Sequence, residues 1–122
     1  MTNHIVPFSV IEQTIKRGVA SDSPNVLYHY LDTSEAYAEQ LGISESYNLY
    51  KRVYQVLLET VCDAAVPMHW RELCLNAINR PLLQLKRFVI TDQDAVEYFR
   101  LEHELRALSH YFMAGMPFGV KQ

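Results

Sequence analysis

Nowhere in this chain of 122 residues do eighteen apolar residues run together, so no segment is long enough to cross a bilayer as a helix. The start, Met1-Thr2-Asn3-His4-Ile5-Val6-Pro7, lacks a basic region followed by an apolar stretch, and it lacks a small-residue cleavage site. These absences predict a soluble, unexported, cytoplasmic protein with no membrane partner. Cysteine is scarce: Cys62 and Cys74 are expected as free thiols, since two cysteines without an export signal seldom form a disulfide framework. There is no glycine-rich phosphate loop, no glycine-flanked serine of the strained-elbow kind, and no Glu-x-x-His or His-Glu-x-x-His pattern. A reaction therefore has no candidate nucleophile, and the expectation is a protein that is not an enzyme, with no catalytic residues, no metal centre and no cofactor. Internal repeats, strand-like alternation and low-complexity tracts are also missing.

Net charge is −3, but it is unevenly placed: residues 1–63 sum to −4, residues 64–90 to +3 and residues 91–122 to −2. A chain so balanced has little overall attraction for a phosphate backbone, so any nucleic-acid binding must come from a local patch.

What is present is helical periodicity. At 49% hydrophobic and 20% charged, the chain has the composition of one globular domain able to bury a core without staples. The expected architecture is all-α: a single-domain bundle, 1–122, of about five helices, with residues 1–8 and 115–122 as tails. Three helices are long, at 46–65, 67–89 and 92–113, and the remaining two or three are short and N-terminal.

Among the short ones, Ser9 and Glu12 have capping-box spacing and predict a helix over 10–17, ended by Gly18. Ser23-Pro24 predicts a start for 24–31, and Asp32-Thr33-Ser34 a cap for 35–41, which Gly42 closes. Tyr47, Tyr50, Val53, Tyr54, Leu57, Val61 and Ala64 follow steps of three and four, and Leu49 and Val56 widen their sector. So broad an apolar face places this helix at the centre of the core. In the next helix Trp70, Cys74, Ala77, Ile78, Leu85 and Phe88 share a face, and Pro81 within it predicts a bend near residues 76–81, because proline removes the bond to the Ala77 carbonyl. Thr91 with Asp94 predicts the cap of the last helix, and Gly115 and Pro117 its end. Its stripe of Tyr98, Leu101, Leu105, Leu108 and Phe112 suits packing on the preceding helix or a homodimer through the last two helices. Residues 116–120 are apolar enough to fold back.

Three surfaces are candidates for function. On the last helix Val96, Phe99, His103, Arg106 and His110 form a second strip nearly opposite the first. An aromatic anchor, a guanidinium and a polar rim are what a surface for another protein requires, and this gives the preferred reading: a small non-enzymatic regulator or adaptor that binds a protein partner and self-associates. Residues 34–53, with Ala38, Gly42 and Ile43 at the turn, resemble a helix-turn-helix, which implies a transcriptional regulator presenting Ser46, Asn48, Lys51 and Arg52 to DNA. Asn48 stands where that motif usually carries an aliphatic residue, Leu49 is one step out of place, and Glu45 sits where a phosphate contact is often made. The simpler reading, in which Gly42 ends one helix and Ser44 caps the next, is preferred. The third candidate is a ligand-sensing pocket beside Pro81, lined by Trp70, Tyr54 and Phe88.

Overall fold

The computed structural model describes residues 5–114, and all regular structure among them is helical. There are five helices: α1 (Ile5–Arg17), α2 (Pro24–Ala38), α3 (Ile43–Cys62), a bent fourth helix whose two arms are α4 (Met68–Ala77) and α5 (Asn79–Lys86), and α6 (Asp92–Ala114). The expected stop at Gly115 and Pro117, the apolar segment 116–120 and the tail 115–122 lie outside the described residues. The chain divides into two compact units, Met1–Leu85 and Lys86–Gln122.

In the first unit α3 packs against α1, α2 and α4, as the width of its apolar sector requires. It buries Tyr50, Val53, Tyr54, Val56, Leu57 and Val61. The predicted Ala64 lies beyond its end and is exposed. Trp70 is fully buried, and its indole N–H donates to the Ile15 carbonyl at 2.9 Å, which ties α4 to the end of α1. There Gly18 adopts φ +66°, the left-handed conformation in which a residue without Cβ is favoured, and the chain turns beneath Val66 and Pro67.

Several local expectations are corrected. Helix α1 starts at Ile5, not at residue 10, so residues 5–8 are helix rather than tail. Pro7 falls in the first turn, where the amide has no intrahelical acceptor to lose, and Ser9 and Glu12 are interior positions rather than a capping box. Residues 24–31 and 35–41 are not two helices, since α2 runs unbroken from Pro24 to Ala38. Leu27, Tyr30, Leu31, Ser34 and Ala38 carry one buried face through Asp32-Thr33-Ser34, with no glycine or proline to interrupt it. Ser23 does stand at the N-cap, yet its hydroxyl makes no capping bond. At the start of α3 Gly42 itself is the N-cap, and Ser44 lies inside the helix.

The bend is where proline chemistry places it. α4 ends at Ala77 with Ile78 as its C-cap, and α5 begins at Asn79 and stops at Lys86, short of residue 89. Pro81, Leu82 and Leu85 are buried along α5.

The second unit, as far as it is described, is α6 and the loop before it. Thr91 and Asp94 cap reciprocally: the Asp94 amide donates to Thr91 Oγ1 at 3.0 Å, and the Asp94 carboxylate accepts the Thr91 amide at 3.1 Å and that of Ile90 at 3.2 Å. Those backbone donors hold the Asp94 carboxyl below its usual range.

Candidate functional site

Helix α6 presents two faces. Tyr98, Leu101, Leu105 and Phe112 of the first stripe are buried, and Leu108 is half-buried. The second strip is open: Val96 is 66% and Phe99 63% exposed, and His103, Arg106 and His110 are exposed as well. Leaving an aromatic ring and a valine in water on adjacent turns forgoes about 1.5–3 kcal/mol for each side chain that burial would recover. The Phe99 ring meets Tyr98 edge-on at a centroid distance of 6.2 Å, which holds its base while its outer face stays free. Arg106 has Glu102 one turn away at 3.9 Å with both side chains in solvent, a pair that restrains it little. Asp92, four residues before Val96 and exposed, continues the strip toward the helix start.

The helix-turn-helix candidates are scattered in environment. Asn48 is exposed on α3. Lys51 is half-buried, with its ammonium 5.8 Å from the centre of the Tyr47 ring. Ser46 is buried, so it does not face outward as a groove-reading residue must. Arg52 is bound to the protein itself. Its Nε donates to both Glu12 oxygens, at 3.1 and 2.8 Å, and its terminal nitrogen donates to Glu12 Oε1 at 2.7 Å. The Tyr30 hydroxyl donates to Glu12 Oε2 at 2.7 Å. A nearly buried carboxylate is thereby matched by a guanidinium on α3 and a phenol on α2, which satisfies the requirement that buried charge be paired and hydrogen-bonded. The bonds to Glu12 push the Arg52 pKa up, and burial, followed by the carboxylate, pushes Tyr30 well above the ordinary phenol. Glu12 and Tyr30 were not among the predicted site residues. The available signal was position: Glu12 lies at helical spacing between the buried Phe8 and Ile15.

A similar clamp joins α5 to α2. Arg80 donates to Glu35 through Nε at 3.2 Å and through its terminal nitrogen at 2.9 Å, and to Asp32 at 2.8 Å.

The space beside Pro81 is small. It is lined by Leu31, Ser34, Glu35, Tyr50, Val53 and Pro81, and leaves ≈ 10 Å³ in which the centre of a water molecule could move. That is about the minimum for one water, and too little for an organic ligand. Trp70 and Tyr54 are fully buried and do not line it, and Phe88 belongs to the second unit.

Among the described residues no three His, Cys, Asp or Glu side chains converge as metal ligands. His103 and His110 stand two turns apart on α6, about 10 Å along the axis. His69 donates from Nε2 to the Ser21 carbonyl at 3.1 Å. Of the two cysteines Cys62 is exposed, and Cys74 is buried with its thiol pushed up to about 12 by that burial. No helix among the described residues is long and apolar enough to cross a membrane. Comparison of the chain with protein-family models, curated proteins and solved structures gives no match.

Proposed function

We propose that this protein is a small non-enzymatic regulator or adaptor that acts by binding another protein through α6. The observation that supports this most is the open strip of Val96, Phe99, His103, Arg106 and His110. It joins a desolvation-ready aromatic to a guanidinium within two turns, and both residue types are enriched at protein interfaces. The DNA-binding alternative has less behind it, because Arg52 is committed to Glu12 and Ser46 is buried.

The test is affinity capture with the tagged full chain from nuclease-treated extract of its source cells, alongside Phe99→Ala and Arg106→Ala. Both substitutions lie on an exposed face and should leave the melting temperature within a degree or two. The expected result is a protein retained by the wild type and reduced about tenfold or more by each substitution. Equal retention by both variants refutes the surface. Retention that disappears with nuclease, together with a salt-steep DNA shift, transfers the assignment to the helix-turn-helix reading.

A further inference from the structure

From Asp92 the exposed strip proceeds through Val96, Phe99, His103 and Arg106 to His110 in alternating steps of four and three. That is the seven-residue rhythm of a seam between two helices crossing at a shallow angle. The strip is also polar along its length, beginning in a carboxylate and ending in three groups that carry or accept a positive charge. A second copy laid parallel sets Asp92 against Asp92 and Arg106 against Arg106, like charges on the same layer. Laid antiparallel, the same six residues become complementary.

We infer that α6 is a self-complementary seam on which a second copy of this chain docks antiparallel, with Asp92 opposite His110, Val96 opposite Arg106 and Phe99 opposite His103. Each opposition occurs twice by the two-fold symmetry, as an isologous interface requires. The centre of the seam holds both phenyl rings, each between the imidazole and the guanidinium of the other copy, where a cation over the ring face is favourable. The Arg106 stem covers Val96 while its head stays at the rim. The ends are closed by the Asp92 and His110 pairs.

The eighteen residue steps from Asp92 to His110 give a seam about 27 Å long, and one helix width of contact falls short of the roughly 800 Å² per partner typical of stable interfaces. The pair is therefore weak and dissociates on dilution. This inference rests on the reading of the strip as a protein-binding face, and it gives that face a regulatory property: self-pairing hides Phe99 and Arg106, so the paired chain cannot take its partner.

Sedimentation of the full chain from low to high micromolar concentration, at low salt, tests the pairing. The wild type should shift from one chain to two as concentration rises. Phe99→Ala should raise the dissociation constant at least tenfold, and His110→Glu at least fivefold. Combining Asp92→Lys with His110→Glu should restore association to within threefold of wild type. Both of those changes oppose the helix dipole, so recovery in the double variant cannot be a folding effect, and a parallel seam would be weakened further rather than restored. Far-ultraviolet circular dichroism reports whether each variant keeps its helix. A wild type that stays monomeric throughout, or a dimer indifferent to Phe99→Ala or unrestored in the double variant, overturns the pairing. If capture of the partner still falls with Phe99→Ala in a chain that never pairs, the binding surface stands and only the self-docking fails.

Discussion

Arg52 allows the sharpest test of whether the exterior of α3 serves the fold or a ligand. Glu12 is 8% exposed at its side chain and is held by Arg52, itself 49% exposed, and by the Tyr30 hydroxyl. Deleting Arg52 removes three charge-assisted bonds and leaves the carboxylate in the core with one phenolic donor. Breaking a fully buried pair costs about 3–5 kcal/mol. Half of the Arg52 side chain is in water, so part of that interaction is screened, and about 2–3 kcal/mol is the appropriate expectation for Arg52→Ala. Glu12→Gln keeps an acceptor for Tyr30 and returns the guanidinium to solvent, and it should cost about 1–2 kcal/mol. Once Glu12 is neutral, Arg52→Ala should cost under about 1 kcal/mol, which makes the coupling in a double-mutant cycle about 1–2 kcal/mol. Urea unfolding followed by circular dichroism, with unchanged slope across the four proteins, measures all of these terms. A loss below about 0.5 kcal/mol for Arg52→Ala, with coupling near zero, would show that water solvates Glu12 and that Arg52 is available to an outside ligand.

Two further expectations follow from the first unit. In Gly18→Ala the new Cβ would approach Val66 Cγ1 to 2.8 Å and Pro67 Cδ to 3.0 Å at a backbone φ of +66°, so the variant should lose at least about 1–2 kcal/mol in the same unfolding assay, and an unchanged midpoint would refute the close approach of the α1 turn to the segment before α4. Cys62 is exposed whereas Cys74 is buried with its thiol pushed up to about 12, so a thiol reagent at pH 8 should modify Cys62 promptly and Cys74 only in step with unfolding; mass spectrometry showing both labelled at equal rates would contradict the packing of α4.

Helix type was legible wherever three- and four-residue steps persisted. The bend before Pro81 could also be read, since a ring without an amide has one structural consequence inside a helix. The misreadings share a cause. Ser9-Glu12 and Asp32-Thr33-Ser34 have the composition of caps, and local composition does not say whether their side chains will be called elsewhere. Glu12 is taken by Arg52, forty positions later, and Asp32 by Arg80, forty-eight positions later. Only the folded chain sets such partners side by side. The α6 strip was legible because a helix face is a local property, and the roles of Ser46 and Arg52 were not, because burial and pairing are global ones.

The uneven charge of the sequence takes on a different meaning once these partners are known. Residues 64–90 carry the net positive charge, yet Arg80 is clamped by Asp32 and Glu35, and Arg71 donates to the Val61 carbonyl at 2.9 Å. Arg52, from the acidic segment 1–63, is held by Glu12, and Lys16 meets Glu59 at 3.1 Å. Much of the charge contrast between these segments is thus used in joining one helix to another, the arrangement in which opposite charges contribute to the fold rather than to a long-range field. Arg106 is placed otherwise, exposed, with a single solvent-borne carboxylate at 3.9 Å and an open phenylalanine two turns away on the same strip. A guanidinium with so loose an internal partner, beside apolar surface that water covers poorly, has much to gain from a second protein.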